Sequence, residues 1–236
     1  MKLSIVIPVF NEEKTISKIL EKVTKLKIPN AEKEIVVVDD GSTDKTAAKL
    51  SGFNISGLKI IHHKKNLGKG TAVRTGIENS SGDYIVIQDA DLEYDPNDIK
   101  KLFIPIQKKM AKVVYGTRLN RLPNLTKDEK SPLFLLHYFG NRFLSLITSV
   151  LYGQWITDME TCYKLFPKKA LENIKLNSRR FDFEPEITAK LLKKDYKILE
   201  IPIETKPRGY GEGKKLNTVR DGTIALWTLL KYRFTQ

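Results

Sequence analysis

The feature of this sequence that most limits its fold is a regular alternation, over its first half, of short apolar runs with segments of helical periodicity. Helical spacing is clearest at Ile16, Ile19, Leu20 and Val23. Apolar runs that predict buried strands lie at residues 3–9, 34–38, 58–61, 84–88 and 113–115. Continuous apolar runs are typical of parallel strands covered on both faces. The alternation therefore predicts an α/β fold with a mostly parallel sheet flanked by helices.

The second half of the chain has a different pattern. Residues 120–131 are polar and contain Pro123, which predicts a loop. Two long segments, 133–152 and 218–234, carry apolar residues at helical spacing together with polar and basic residues. Because spanning a bilayer takes about 20 mostly apolar residues with few charges, both segments are predicted to be amphipathic helices. Two further strands and the helix between them are predicted at residues 164–167, 198–203 and 186–194.

The net charge of the chain is +13, which favours anionic partners. Nucleic acid, phosphate-bearing ligands and an acidic membrane surface all satisfy this condition, and the charge does not choose among them. A single cysteine, Cys162, excludes an intramolecular disulfide and fits a reducing compartment. The apolar run that ends before Asn11 is too short for a signal peptide, so we expect a cytoplasmic protein.

The most informative motif is the acidic pair Asp89 and Asp91, which follows an apolar strand. Residues two apart in extended backbone point to the same side, so both carboxylates are expected to face one crevice at the carboxyl edge of the sheet. Two carboxylates there are unfavourable without a positive partner. A divalent cation that also binds a diphosphate meets this requirement. The alternative, an acidic surface turn, leaves unexplained why an apolar strand leads into the pair.

A second acidic pair, Asp39 and Asp40, follows the second predicted strand. A carboxylate at that point can accept hydrogen bonds from a nucleotide base or ribose. The alternative is that these residues cap a helix that starts near Ser42.

Two common nucleotide-binding motifs are missing from the sequence. No G-x-G-x-x-G follows the first strand, which argues against a dinucleotide-dependent dehydrogenase. The run that begins at Gly68 lacks the earlier glycine of a P-loop, because His63 stands there. The histidines, His62, His63 and His137, form no metal-ligand pattern and are expected to be structural.

Four motifs together resemble the family 2 glycosyltransferases, which have a Rossmann-like GT-A fold. They are the runs at residues 8–12 (PVFNE), 38–42 (VDDGS), 68–70 (GKG) and 89–91 (DAD). Later runs are similar to the dolichol-phosphate mannose and glucose synthase branch, and lie at residues 116–118 (GTR), 157–166 (TDMETCYKLF), 181–184 (FDFE) and 208–216 (RGYGEGKKL). The resemblance covers nearly the whole chain.

The resemblance implies a role for each matching residue. Those that would bind the donor, a nucleoside diphosphate sugar of the GDP-mannose or UDP-glucose type, are Pro8, Phe10, Glu12, Asp39, Asp40 and Lys69. Those that would hold Mg²⁺ or Mn²⁺ are Asp89, Asp91 and Glu93. Those that would act in catalysis are Asp89, Asp91, Arg118 and Asp158. Glu93 stands where mannose synthases often carry glutamine, which leaves the sugar open.

The acceptor implied by this branch is a polyprenyl or dolichyl phosphate, to which the hexose would pass with inversion of its configuration. Such a phosphate is already an anion, so it needs positioning and charge neutralisation more than a strong base. Basic residues in predicted loops suit that task, because arginine can bind phosphate through two hydrogen bonds. These residues are Arg118, Arg208, Lys214 and Lys215, each of which could instead be a solvated surface charge.

We expect a single domain over residues 1–236, with a nucleotide-sugar half at 1–118 and an acceptor half at 119–236. The amphipathic segments 133–152 and 218–234 are candidates for lying on the cytoplasmic face of a membrane, or alternatively for packing in the core or against another subunit. Transfer to a glycan or soluble acceptor is the second hypothesis. A basic nucleic-acid-binding protein is a third, although uncompensated acidic strand ends would repel nucleic acid, so no nucleic-acid partner is expected.

Overall fold

The computed structural model describes residues 1–119, 122–123, 131–206 and 218–235, of which Thr218 is described by its backbone alone. The strands are β1 (Lys2–Val9), β2 (Glu32–Asp39), β3 (Leu58–His62), β4 (Tyr84–Ile87), β5 (Val113–Thr117), β6 (Lys164–Pro167) and β7 (Ile198–Pro202). The helices are α1 (Ile16–Lys25), α2 (Thr46–Ser51), α3 (Lys69–Glu78), α4 (Asp98–Gln107), α5 (Pro132–Tyr152), α6 (Phe183–Lys193) and α7 (Thr218–Phe234). A 3₁₀ turn, Lys168–Leu171, follows β6.

The strands form one sheet in the order β3-β2-β1-β4-β6-β5-β7. From β1 the chain builds outward through β2 to β3, then returns to place β4 on the other side of β1. The boundary between β1 and β4 is therefore the point where the strand order reverses. In open α/β sheets, ligands bind outside the carboxyl ends of the strands at such a point.

The strand β6 is the antiparallel member of the sheet, and it lies between β4 and β5. β7 then pairs in parallel with β5 at the far edge. Strands from both predicted halves of the chain thus belong to one sheet. The mostly parallel α/β architecture predicted from the apolar runs is confirmed.

The core is built from the apolar runs that predicted the strands. Every residue of β1 after Lys2 is buried, and so are Ile16, Ile19, Leu20 and Val23 on α1. α3 carries glycine and alanine on its buried face, so it packs closely on β1 and β2. α4 packs against β5. Together these contacts hold the carboxyl ends of β1, β2 and β4 rigidly beside one another.

The helices α5 and α7 pack against each other, and the Tyr152 hydroxyl donates a 2.7 Å hydrogen bond to the carbonyl oxygen of Leu229. Their outer faces are apolar yet exposed to solvent. The large exposed side chains are Leu133, Leu136, Phe139, Phe143, Leu146 and Val150 on α5, and Val219, Trp227, Leu230 and Phe234 on α7. Among the described residues, neither these helices nor any other is both long and apolar enough to cross a bilayer.

The remaining sequence predictions have mixed outcomes. Each predicted strand and helix is present within a few residues of its expected bounds. The predicted loop at 120–131 lies largely outside the described residues. The alternative in which Asp39 or Asp40 caps a helix that starts near Ser42 is wrong, because α2 begins only at Thr46. The single-domain organisation stays a prediction.

Candidate active site

A cavity of about 580 Å³ opens at the carboxyl ends of β1 and β4. Its walls come from both halves of the chain. The lining residues are Pro8, Val9, Phe10, Glu12, Asp40, Asn66, Gly68, Lys69, Ala72, Asp89, Ala90, Asp91, Glu93, Tyr94, Arg118, His137, Glu160, Cys162, Arg180, Phe181 and Glu184. The cavity therefore occupies the place where the reversal of strand order predicts a ligand site.

Lys69 links the acidic end of β4 to the first turn of α6. Its Nζ atom lies 2.9 Å from Asp89 Oδ1 and 3.0 Å from Glu184 Oε1. Burial disfavours the ammonium charge, but the two carboxylates outweigh burial and raise the pKa of Lys69 well above its ordinary value. In the protein alone, this lysine supplies the positive charge that the acidic strand end requires.

The backbone after β4 forms a tight turn that carries the acidic motif. Asp91 Oδ1 accepts a 3.0 Å hydrogen bond from the Glu93 amide, and Leu92 between them has φ of 66°. A positive φ is unusual for leucine, and such strained backbone clusters at functional sites. The turn directs Asp89, Asp91 and Glu93 into the same cavity.

The acidic residues fit a divalent cation only in part. Their donor atoms are all oxygen, which suits Mg²⁺ or Mn²⁺. In the chain as described, however, no group of three or more His, Cys, Asp or Glu side chains is placed to hold a metal ion. A ligand set of Asp89, Asp91 and Glu93 is therefore not preassembled, and further oxygens would have to come from the substrate or water. Mg²⁺ sites commonly have one or two carboxylates completed by phosphate oxygens and water.

Asp40 lines the cavity and organises the loop before α3. Its carboxylate accepts hydrogen bonds from the amides of Leu67, at 3.0 Å, and Gly68, at 2.8 Å, and lies 2.7 Å from His63 Nδ1. Gly68 has φ of 96°, and a Cβ atom there would collide with the Arg179 carbonyl oxygen. Asp40 thereby positions the start of α3, from which Lys69 enters the cavity.

Asp39 is buried and is not among the residues that line the cavity. Its Oδ1 accepts a 3.0 Å hydrogen bond from the Ser42 amide, and its Oδ2 lies 3.0 Å from His62 Nδ1. Its predicted contact with the base or ribose stays a prediction. The expectation that the histidines are structural fits His62 and His63, whereas His137 lies on the cavity wall.

Arg118, which follows β5, is held by Asp158. Its Nε and Nη2 atoms each donate a 2.7 Å hydrogen bond to a different Asp158 oxygen, and its amide donates a third bond of 2.9 Å. Burial alone would raise the pKa of Asp158, but Arg118 reverses that effect and lowers it. Asp158 is fully buried and lies behind Arg118, outside the cavity lining. It therefore reaches the cavity through the arginine.

A buried lysine lies beneath this region. Lys164 on β6 donates hydrogen bonds to the Met159 carbonyl oxygen at 2.5 Å and the Thr188 hydroxyl at 3.2 Å. Its Nζ atom also lies 4.0 Å from the centre of the Tyr115 ring. Burial lowers the pKa of Lys164, and burial together with the charge of Glu184 raises the pKa of Glu160. The two groups belong to one network of buried charge.

The structure brings together most of the predicted site residues. Those that line the cavity are Pro8, Phe10, Glu12, Asp40, Lys69, Asp89, Asp91, Glu93 and Arg118. Arg208, Lys214 and Lys215 lie outside the described residues. Lining residues to which the sequence assigned no role include Asn66, His137, Glu160, Arg180, Phe181 and Glu184. Several of these belong to the motifs at residues 157–166 and 181–184. The motifs therefore indicated the right segments of the chain, although the sequence did not indicate which of their residues line the cavity.

The sheet order and the acidic cavity at its point of reversal define this chain as an α/β protein with a candidate ligand site at the carboxyl ends of its strands. The chain belongs to glycosyl transferase family 2, whose family profile matches residues 4–175. The chain is 31% identical over 225 residues to an uncharacterized protein of Methanocaldococcus jannaschii. The match covers 92% of this chain and 87% of that protein.

Two relatives with named activities are similar over most of this chain. The UDP-N-acetylglucosamine–dolichyl-phosphate N-acetylglucosaminyltransferase of Methanococcus voltae is 29% identical over 234 residues, covering 91% of this chain and 90% of the relative. The dodecaprenyl-phosphate galacturonate synthase of Rhizobium johnstonii is 28% identical over 218 residues. That match covers 91% of this chain but only 62% of the relative, so this chain spans less than two thirds of its length.

A crystal structure of glucosyl-3-phosphoglycerate synthase from Mycobacterium tuberculosis, in complex with Mn²⁺, UDP and glucosyl-3-phosphoglycerate, has a similar fold. The TM-score is 0.73 at 19% identity, over 98% of this chain and 79% of that chain. The similarity confirms the GT-A fold predicted from the sequence motifs.

Proposed function

We propose that this glycosyltransferase moves a hexose from a nucleoside diphosphate sugar to a polyprenyl or dolichyl phosphate, with inversion at the anomeric carbon. The observation that carries the proposal is one cavity that contains both an acidic strand end, at Asp89 and Asp91, and a cation held in place, Arg118. The first suits a donor diphosphate with its metal. The second suits an anionic acceptor. The names of the relatives, which include dolichyl-phosphate and dodecaprenyl-phosphate enzymes, support the same reading.

On the donor side, Pro8, Phe10 and Glu12 follow β1 and form one wall of the cavity. An apolar wall with a few polar groups is the usual lining for a small-molecule ligand. In this proposal these residues bind the base and ribose, so that the diphosphate extends along the sheet edge towards Lys69 and Asp89. Lys69 would then interact with a phosphate oxygen as well as with its carboxylate partners.

A divalent cation, Mg²⁺ or Mn²⁺, would be held by Asp89 and Asp91, with Glu93 beside them. When bound, the ion neutralises the charge that develops on the nucleoside diphosphate as it leaves. Lys69 keeps Asp89 in place, since it holds that carboxylate through both of its oxygens, at 2.9 and 3.1 Å.

On the acceptor side, Arg118 binds the lipid phosphate. Asp158 holds the guanidinium in one orientation, so little conformational entropy is lost when phosphate binds. Arg180, an exposed residue on the cavity wall, supplies a second positive charge in the same cavity. A phosphate oxygen attacks the anomeric carbon, the bond from that carbon to the donor diphosphate breaks, and the nucleoside diphosphate departs.

The exposed apolar faces of α5 and α7 favour a lipid acceptor over a soluble one. Monomeric soluble proteins seldom expose an apolar surface this extensive without a binding partner. Trp227 and Phe234 lie on the same helix as Lys231 and Arg233, a combination suited to the headgroup region of a membrane. We therefore include peripheral binding to the cytoplasmic face of a membrane in the proposal.

The central experiment is a panel of nucleotide sugars incubated with a short polyprenyl phosphate and Mg²⁺ or Mn²⁺. The readout is the lipid-linked sugar, and the panel includes GDP-mannose, UDP-glucose and UDP-N-acetylglucosamine. Product that forms with one donor and disappears on chelation of the metal supports the proposal. Sugar transfer to a soluble phosphate such as 3-phosphoglycerate, with none to the lipid phosphate, would instead support the second candidate function.

Membrane binding is tested by sedimentation with vesicles that contain anionic lipid. We expect the protein to sediment with the vesicles at low salt, and Trp227→Ser with Phe234→Ser to weaken this binding. Met110 is equally exposed but lies after α4, so Met110→Ser is the matched control and should leave binding unchanged. Failure of the unaltered protein to sediment would assign the α5 and α7 faces to a protein contact.

A further inference from the structure

Two carboxylate oxygens in the cavity have no partner that would account for their burial. Of the buried side-chain atoms left without a hydrogen bond in the described part of the chain, the carboxylate oxygens are Glu160 Oε1 and Glu184 Oε2. Both residues line the cavity. Native proteins rarely leave buried polar atoms unpaired, because such atoms lose hydration without compensation. The pair therefore indicates a ligand that donates hydrogen bonds.

Glu184 is well suited to accept a hydrogen bond from a ligand. It is only 4% exposed, and its Oε1 atom is held 3.0 Å from Lys69 Nζ. The other oxygen is thus fixed in position with its acceptor capacity unused. Glu160 comes from a different part of the chain, the segment between α5 and β6, and the charge of Glu184 helps to raise its pKa.

The chemistry of the pair favours a neutral, hydroxyl-bearing ligand. Another anion would be repelled by the Glu184 carboxylate. A second metal ion is disfavoured because the ammonium group of Lys69 already lies 3.0 Å from Glu184 Oε1. Neighbouring hydroxyl groups of a sugar each donate one hydrogen bond, and carboxylate oxygens are strong acceptors for them.

The position of the pair agrees with that chemistry. Lys69 touches Glu184 with the same Nζ atom that touches Asp89, where the proposed function places the donor diphosphate. The hexose is bonded directly to that diphosphate. Glu184, which lies next to the proposed diphosphate site, is therefore placed to contact the sugar and not the base.

We propose that Glu160 and Glu184 bind the hydroxyl groups of the donor hexose and determine which sugar the enzyme uses. This inference rests on the proposed function. It assigns the sugar subsite to the second half of the chain, whereas the nucleotide is bound by the first.

The test compares the affinities for a nucleoside diphosphate with and without its sugar. Isothermal titration with Mn²⁺ present measures UDP against UDP-glucose, and GDP against GDP-mannose, for the unaltered protein and for Glu160→Gln and Glu184→Gln. Because hydrogen bonds to charged groups are the stronger ones, Glu184→Gln, which removes the carboxylate paired with Lys69, should lose about tenfold or more in affinity for the sugar nucleotide. Glu160→Gln, which replaces a carboxyl group whose pKa is raised, should lose less. Affinity for the bare diphosphate should be unchanged, and discrimination between UDP-glucose and its epimer UDP-galactose should also change.

Glu186→Gln is the matched control. Glu186 lies on the same helix and is fully buried, but it accepts hydrogen bonds from the Asn177 and Ser178 amides and does not line the cavity. The variant Glu186→Gln should leave unchanged the ratio between the affinity for the sugar nucleotide and the affinity for the bare nucleoside diphosphate. Glu160 is only partly buried, so its variant is expected to fold even if Glu184→Gln does not.

Two results would overturn the assignment. One is an equal loss of affinity for the diphosphate and the sugar nucleotide, which would place the carboxylates at the nucleotide or metal. The other is unchanged affinity for both ligands in the folded variants. If the unaltered protein binds neither UDP nor GDP, the proposed function itself fails, which is a distinct outcome.

Discussion

The cavity contains two ion-paired cations that are built in contrasting ways. Arg118 and Asp158 form a closed pair, because each Asp158 oxygen receives a 2.7 Å bond from the guanidinium and the carboxylate is fully buried. Lys69 forms an open arrangement, because one ammonium is shared by Asp89 and Glu184 at 2.9 and 3.0 Å. The two cations are similarly exposed, at 22% for the Arg118 side chain and 18% for that of Lys69, so the contrast lies in their hydrogen-bond geometry and in the carboxylates, of which Asp158 is fully buried and Asp89 is 18% exposed.

The contrast suggests different functions for the two cations: Arg118 is held in one orientation, whereas Lys69 can exchange one partner for another. A planar guanidinium held through two bonds has one orientation, which suits a group that must present the same face to every substrate. An ammonium is a compact charge without a fixed geometry, so it can shift between partners when phosphate or metal enters. The closed pair should therefore contribute mainly to stability and orientation, and the open one mainly to ligand binding.

The largest expected effect comes from breaking the closed pair with Asp158→Ala. Removing the fully buried carboxylate takes the acceptor from the Arg118 guanidinium and from the Asn141 side-chain amide, which should lower the free energy of unfolding by about 3–5 kcal/mol. Urea denaturation measures the change. The double variant with Arg118→Met should recover much of the loss. A loss below about 1 kcal/mol would show that hydration of the partly exposed Arg118 replaces the lost hydrogen bonds and that the pair is not closed.

Next in size is the loss of turnover in Asp91→Asn. This residue completes the acidic end of β4, so its charge is needed for the metal and the leaving diphosphate. A catalytic metal contributes several kcal/mol, so turnover should fall at least about a hundredfold. The melting temperature should be nearly unchanged. Undiminished turnover, or turnover that persists after chelation of the metal, contradicts the metal assignment.

A smaller effect is expected for Lys69→Met, which removes the shared ammonium. Asp89 and Glu184 would then be uncompensated, but Asp89 can recover some hydration because it is partly exposed. The free energy of unfolding should fall by about 1–3 kcal/mol, less than for the closed pair. Lys22→Met is the control, because its pair with Asp95 lies on the surface at 3.6 Å and should contribute about 0–1 kcal/mol.

The smallest effect concerns pH and Glu160. Burial and the charge of Glu184 raise its pKa, so the folded chain keeps a proton that the unfolded chain releases near its ordinary pKa of about 4.3. Stability should therefore fall as pH rises above that value, by at most about 1.4 kcal/mol per pH unit from this group.

The variant Glu160→Gln removes this titration, so its stability should decline less between about pH 5 and pH 7. Urea denaturation across that range measures the slope. The exposed Glu21→Gln on α1 is the control, because it removes a glutamate charge without a change in burial. Identical slopes in the unaltered protein and in Glu160→Gln would show that Glu160 is hydrated.

The sequence alone was sufficient for the α/β fold and for the acidic half of the site. Buried parallel strands need uninterrupted apolar runs, and those runs are visible without a structure. The position of Asp89 and Asp91 after such a run follows from the chain itself. Both residues lie beyond the last residue of β4, Ile87, so it is the turn after the strand, and not the alternation of extended backbone, that brings both side chains to the cavity. Local order along the chain decides these features.

Pairing between distant residues was decided only by the tertiary structure. Asp158 and Arg118 are 40 positions apart, and no spacing rule shows that the arginine would take both carboxylate oxygens. The insertion of antiparallel β6 between β4 and β5 brings the segment after α5 to the cavity, and with it Glu160. Asp40 likewise turned out to hold the loop at Leu67 and Gly68, a contact across 27 and 28 positions. Long-range packing selects one partner from many chemically equivalent ones, and that selection depends on three-dimensional shape, which the order of residues does not display.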